Sequence, residues 1–423
     1  MIQNRKMEVN NQIIIKDLQY YKFCAYGFLK NLRLFEPFLV LFFLDSGLSF
    51  LQIGFLYSAR EIARNILEIP AGILADSLGR KRTMMTSFVM YIISFVVFYF
   101  SGTYSVFFIA MILYALGDAF RTGTHKAMIF DYLKLNNRAD QKVHYYGHTR
   151  SWSQIGSAIS SLLAGGFLFY TGNYRFIFIF SIVPYVLDLI LISSYPKVLD
   201  GISQNFDKRK IKENFKRVFL DFINSFKKIK VLKAVANLSV HTGYYRALKD
   251  YLQPVLQTLA LSLPLFLAYN DEQRTALVVA VVYFVIYMLT SFSSRNAGRF
   301  AQRFQFLAKP LNLTLLLGLL FGIISGLMFE NQWVILSSIF FIGIYLIENL
   351  RKPIGISYVA DTVNKDILAT TLSAESQAHT LVAAILAPVF GFVADSFGLG
   401  YSLIVISMFL ILLYPVLMLR NKK

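Results

Sequence analysis

Apolar residues run along this chain in blocks of roughly 20, separated by short polar breaks. About 20 residues of helix cross a hydrocarbon layer of about 30 Å. The pattern therefore predicts an all-α integral membrane protein. Twelve blocks are read, at 23–44, 50–74, 83–100, 106–130, 153–170, 176–195, 232–252, 276–292, 307–328, 333–350, 377–394 and 399–419. The seventh is the least regular, because the stretch 258–268 is apolar as well and fits either that span or an outer hairpin.

The longest break, 196–231, divides the spans into six and six. The expected organisation is a cytoplasmic N-terminus (1–22), a first bundle (23–195), a cytoplasmic linker (196–231), a second bundle (232–419) and a short cytoplasmic tail (420–423). Within the linker Ile211, Phe215, Val218, Phe219, Phe222, Phe226 and Ile229 recur at helical spacing among nine Lys and Arg between 208 and 230. Such a segment is expected to lie as an amphipathic helix on anionic inner-leaflet lipid.

Charge fixes the orientation. With the N-terminus inside, the inner segments hold 30 of the 42 Lys and Arg, while the outer loops hold Arg175 and Arg274. The positive-inside rule then places both termini in the cytoplasm. The same distribution explains most of the net charge of +18 without a nucleic-acid partner. Composition agrees: 56% of residues are hydrophobic, 16% are charged, and mean hydropathy is +0.54. A soluble enzyme averages about 25% charged residues. The lone Cys24 forms no internal disulfide, no group of residues has metal-ligand spacing, and no cofactor is implied. The first 22 residues lack the pattern of a cleaved signal peptide.

The two halves share a pattern. Ser153-Gln154, Leu163-Ala164 and Phe167 match Ser376-Gln377, Leu386-Ala387 and Phe390 at equal spacing. Arg121 precedes Asp131 by ten residues, as Arg351 precedes Asp361. Parallel repeats of this kind place a site between the halves near the midplane.

Between the second and third spans the chain reads Gly72-Ile-Leu-Ala-Asp76-Ser-Leu-Gly79-Arg80-Lys81-Arg82. This resembles the signature loop of the major facilitator superfamily, and the resemblance extends over the whole chain. Ser77 departs from the family pattern, which has Arg there. The resemblance implies a transporter that alternates between inward-open and outward-open states, with Gly72, Asp76, Gly79 and Arg80 in a gating latch. A plain cluster of orienting charges, Arg80 to Arg82, is the alternative. The second half keeps a remnant at Asn296 to Arg299, and the outer sequence Gly391 to Gly398 reads as a turn.

Ionisable groups at span depth are costly and mark function by default. Span one carries Lys30, Arg33 and Glu36; span two carries Arg60, Glu61, Arg64 and Glu68; span four carries Asp118, Arg121, His125 and Lys126. Span six adds Asp188. Span seven carries His241, Arg246, Lys249 and Asp250, and span ten carries Glu348 beside Arg351. The resemblance implies that spans one, four, seven and ten line the central cavity. Arg presents a fork suited to carboxylate or phosphate. An anionic or zwitterionic organic solute is expected, held by Arg33, Arg121 and Arg246 with Tyr244, Tyr245 and Tyr251. Pairing among these charges is the alternative, as structure or gate. No phosphate-cradling motif for ATP is present, so a coupling ion is expected, with Glu36 first and Asp118 next as proton carriers. Efflux of lipophilic compounds is the rival within the class; a receptor, assembly partner or lipid flippase is the rival outside it. A monomer is expected.

Overall fold

The computed structural model describes residues 16–138, 141–200, 220, 229–363 and 365–419, and of residues 76, 142–144, 365–367, 369 and 370 the backbone alone. The expected linker helix and the tail at 420–423 lie outside the described residues, apart from 220, 229 and 230. Among the described residues every regular element is helical. Seven helices among the described residues are long and apolar enough to cross a membrane by length and composition, with Tyr104–Leu135 taken together as one.

The first half comprises α1 (Leu18–Lys30), α2 (Leu39–Asp45), α3 (Phe50–Leu78), α4 (Arg80–Phe100), α5 (Tyr104–Arg121), α6 (Thr124–Leu135), α7 (Lys142–Thr171) and α8 (Phe176–Ser193). The second comprises α9 (Ile229–Leu248), α10 (Leu252–Ser262), α11 (Asp271–Ala301), α12 (Ala308–Glu330), α13 (Val334–Thr362), α14 (Lys365–Phe397), α15 (Leu399–Leu412) and α16 (Tyr414–Leu417).

Three expected spans are interrupted. In span one, α1 ends at Lys30 and a 3-10 turn, Glu36–Phe38, leads into α2. Pro37 offers no N–H and cannot continue the ladder. In span seven a 3-10 turn, Lys249–Tyr251, separates α9 from α10, so the apolar stretch after 252 continues the same rod as far as Ser262. In span four Gly123, at φ +78°, bends α5 into α6. Freed backbone groups at membrane depth must find partners inside the protein. Gln253, fully buried in α10, supplies them across the halves. Its Oε1 accepts from the Val40 amide at 2.8 Å, and its Nε2 donates to the Glu36 carbonyl at 2.9 Å.

The halves meet along two helix pairs, α3 with α14 and α7 with α11. Contact between α3 and α14 is backbone to backbone. A Cβ at Gly54 would stand 2.4 Å from the Ala387 carbonyl oxygen, and one at Gly391 would stand 2.2 Å from that of Phe50. Small residues permit such approach between membrane helices. This contact lies toward the face formed by the loops at 46–49, 172–175 and 263–270, here called the far face. Asp17 beside Tyr132 and Leu419 beside Asn312 put both described ends on the opposite, near face.

Candidate functional site

The far face is sealed by links between the halves. Lys249 meets Glu36 at 3.2 Å, and the Tyr251 hydroxyl donates to the Phe50 carbonyl at 3.4 Å. Asp395, near the end of α14, accepts from the Phe50 and Leu51 amides at 2.8 Å each. Those amides open α3 and have no partner within their own helix. The segment Gly391 to Gly398, expected to be a plain turn, is instead the end of α14 as far as Phe397, with Gly398 alone making the turn, and it caps the other half. Gln273 donates to the Phe169 carbonyl at 2.6 Å, tying α11 to α7.

Toward the near face the halves diverge. A cavity of about 430 Å³ separates Gly147, Arg150 and Gln154 of α7 from Arg295 of α11 and Lys352 of α13. The state is therefore closed at the far face and open at the near face.

Between seal and cleft lies a central cavity of about 270 Å³. Its wall holds six cations (Arg33, Arg60, Arg64, Arg246, Lys249 and Lys352) and five carboxylates (Glu36, Glu61, Asp118, Asp250 and Glu348). Most are paired. Arg33 lies 3.5 Å from Glu36. Arg246 crosses between the halves to Glu61 at 3.0 Å, where Arg60 also arrives at 3.3 Å and Arg64 at 3.8 Å. Lys249 bridges Glu36 and Asp250, the latter at 2.8 Å. Glu348 accepts from Thr242 at 2.9 Å and meets His241 Nδ1 at 2.8 Å. The Arg33 Nε is buried without a hydrogen-bond partner among the described residues. The walls thus offer closely balanced charge of both signs.

The structure places the expected site residues in three groups. Arg33, Glu36, Asp118, Tyr245 and Arg246 line the central cavity, where Tyr245 packs edge-on against Tyr345 at 5.2 Å. Arg121 lies outside it. It bonds Asp118 at 3.2 Å and the Tyr91 hydroxyl at 3.1 Å, and it lines a second cavity with Lys30. Tyr244 and Tyr251 do not line the central cavity, contrary to expectation. Tyr244 points into the second half and bonds Ser407 at 2.7 Å; Tyr251 packs on Phe390 in the far-face seal. On a helix one residue turns the side chain by about 100°, so Tyr244 and Tyr245 cannot both face the same space.

The signature loop is tied to its own half. Arg80 pairs with Asp131, the Lys81 amide donates to Asp200 at 2.7 Å, and Lys81 Nζ donates to the Tyr195 carbonyl at 2.9 Å. Gly79, at φ +93°, makes the turn. At Gly72 a Cβ would meet nothing within 4 Å, so no close helix approach depends on this glycine in the present state. The Asp76 side chain is outside the described set.

Span two was the missed wall. Tyr57, Arg60, Glu61 and Arg64 all line the cavity. Their spacing of three and four residues marks one helix face, a signal visible in the sequence. Repeat-related Arg121 and Arg351 differ in their partners. Arg351, 2% exposed, donates to the Leu311 carbonyl, to Thr314 at 3.0 Å and to the Asn237 side-chain oxygen at 2.8 Å, and it has no ion pair among the described residues. Among the described residues no group of His, Cys, Asp and Glu could hold a metal.

The chain matches the family model described as Major Facilitator Superfamily over residues 23–374. It is 27% identical over 243 residues to "Uncharacterized MFS-type transporter YxaM" of Bacillus subtilis (strain 168), covering 57% of this chain and 59% of that protein. It is 26% identical over 223 residues to "Uncharacterized MFS-type transporter MJ1560" of Methanocaldococcus jannaschii, covering 51% and 54%. The chain thus aligns with little more than half the length of these curated relatives. Its fold is similar to the crystal structure of nucleoside transporter NupG, with TM-score 0.75, 14% identity and coverage of 96% of this chain and 100% of that one. It is likewise similar to that of peptide transporter POT in complex with sulfate, with TM-score 0.66, 15% identity and 94% coverage of each. The match over residues 23–374, together with two helical halves around a charged cavity, means that this chain belongs to the Major Facilitator Superfamily and is a multi-pass membrane protein.

Proposed function

We propose that the protein is a secondary transporter that moves a small anionic or zwitterionic organic solute by alternating access, coupled to protons. The observation that carries this reading is the cavity between the halves, sealed at one face, open toward the other and walled by six cations and five carboxylates. A solute carrying both charge signs, or a carboxylate with polar groups, replaces wall-to-wall pairs with wall-to-solute pairs at little net cost. A lipophilic compound would strand those charges. Arg33, Arg246 and Tyr245 are the proposed contacts in the central cavity, and Arg121 contributes from the adjoining one.

Twelve spans, both termini in the cytoplasm and residence in the cytoplasmic membrane complete the proposal, supported by the distribution of Lys and Arg. The protein works as a monomer, with the basic segment 208–230 on anionic lipid. The near face is then cytoplasmic and the described state inward-open. Gly72, Asp76, Gly79 and Arg80 form the latch that holds the opposite, outward-open state. Glu36 is the proposed gate carboxylate, because protonation there releases Lys249 of the other half; Asp118 holds Arg121 in place.

A thermal-stability screen of the detergent-purified protein tests the substrate class, since a ligand bound only by the folded state raises its stability. Carboxylates or zwitterions should stabilise it, and Arg33→Gln or Arg246→Gln should remove the effect. Stabilisation by lipophilic cations alone would overturn the reading in favour of efflux.

A further inference from the structure

A second cavity, of about 340 Å³, lies within the first half. It adjoins the central one: Arg33 and Asp118 line the first, while Lys30 and Arg121, three residues away on the same segments, line the second. Its wall holds Lys30, Arg121, Lys126 and Arg150 and no carboxylate among the described residues. The Lys30 side chain has no ion pair or hydrogen bond among the described residues, and Lys126 lies over the rings of Phe130 and Tyr146, at 5.4 and 5.5 Å. The Tyr26 hydroxyl, also in this wall, is buried without a hydrogen-bond partner among the described residues. The central cavity balances its own charge; this one does not.

Behind the wall sits Asp188 of α8. It is 0% exposed, and neither carboxyl oxygen has a hydrogen-bond partner among the described residues. Lys30 and Arg121 are the cations that act on it electrostatically, and the Tyr26 and Tyr195 side chains share its surroundings. His125 of α6, also lining the cavity, is held by Tyr195 at 3.2 Å and stacked on Tyr26 at 3.6 Å. Arg121 is already paired with Asp118. Burying a carboxylate with no donor penalises its charged form.

We propose that the second cavity is a proton-linked site for a small oxyanion, a carboxylate, sulfate or phosphate group, with Asp188 as the proton-binding residue. An anion in the cavity and an ionised Asp188 compete for the same cations, Lys30 above all. Protonating Asp188 releases Lys30 to the anion, so anion and proton bind together. Linkage makes this reciprocal. The site deepens the transporter reading by assigning the anionic group of the solute and its proton, yet its test needs no transport.

Sulfate and benzoate keep a constant charge across mildly acidic and mildly alkaline pH. Binding of each to the full chain in detergent is measured by calorimetry at both. The expected result is sulfate or benzoate affinity lower by about tenfold or more on the alkaline side. Asp188→Asn should bind equally well at both, and Lys30→Met should bind at neither. A readout that needs no variant is the infrared band of a protonated carboxyl: it should fade in alkali and return when sulfate is added. Binding independent of pH in the unsubstituted chain, an infrared band unmoved by sulfate, pH dependence surviving in Asp188→Asn, or binding only of a short-chain anionic phospholipid would each overturn the proposal. Absent transport with this binding intact would sink the transporter reading alone.

Discussion

Asp395 caps the first turn of α3 by accepting the Phe50 amide at 2.8 Å, across 345 residues of sequence and from the other half of the molecule. A charge-assisted bond to unsatisfied helix amides is worth about 1–2 kcal/mol. Asp395→Ala should therefore shift the balance of states toward an open far face by about tenfold or more. Spin labels at the exposed positions Tyr170 and Leu267, one in each half, would report it as a larger fraction of long distances. An unchanged distribution would show that Asp395 only tidies a helix end.

Glu36 supplies the partner of Lys249 in the same seal. Glu36→Gln keeps the shape and removes the charge. It should abolish uptake against a gradient while leaving exchange of solute across proteoliposomes. Unchanged accumulation driven by a pH gradient would remove Glu36 from the coupling role.

Gln253 satisfies two backbone groups at the break in span one. Gln253→Leu leaves the Val40 amide and the Glu36 carbonyl buried and unpaired, at about 2–4 kcal/mol in total. The expected reading is a clear fall in the unfolding midpoint in detergent, with Gln253→Glu intermediate because it restores only the acceptor.

Gly391 stands where a Cβ would strike the Phe50 carbonyl. Gly391→Val should force α3 and α14 apart and hold the far face open. Labels at Tyr170 and Leu267 should then show the long distance alone, and solute exchange should stop although the protein still folds.

The latch proposal is tested at its acid. Asp76→Asn should slow turnover while leaving ligand-induced stabilisation in place; normal turnover would remove Asp76 from the latch.

Much of this was legible in the chain itself. The rods 80–100 and 176–193 stand out because nothing but apolar length is needed to find them. The breaks at Pro37, Gly123 and Lys249 were hidden, since apolar stretches resume beyond the charges at each and read as one span. Residue type alone points to Tyr244 and Tyr251, and type does not tell which way the backbone turns them. Glu61 was visible as a buried charge, but only the fold brings Arg246 to it from 185 residues away. Asp395 looked like part of a turn because its partners lie on the opposite half.

The two arginines of the repeat have taken up different duties. Arg121 leans on the Asp118 carboxylate and the Tyr91 hydroxyl. Arg351 is gripped by a peptide carbonyl, a threonine and an asparagine, none of which titrates. Loss of charge on one neighbouring side chain would therefore loosen Arg121, whereas Arg351 would stay held by its neutral partners.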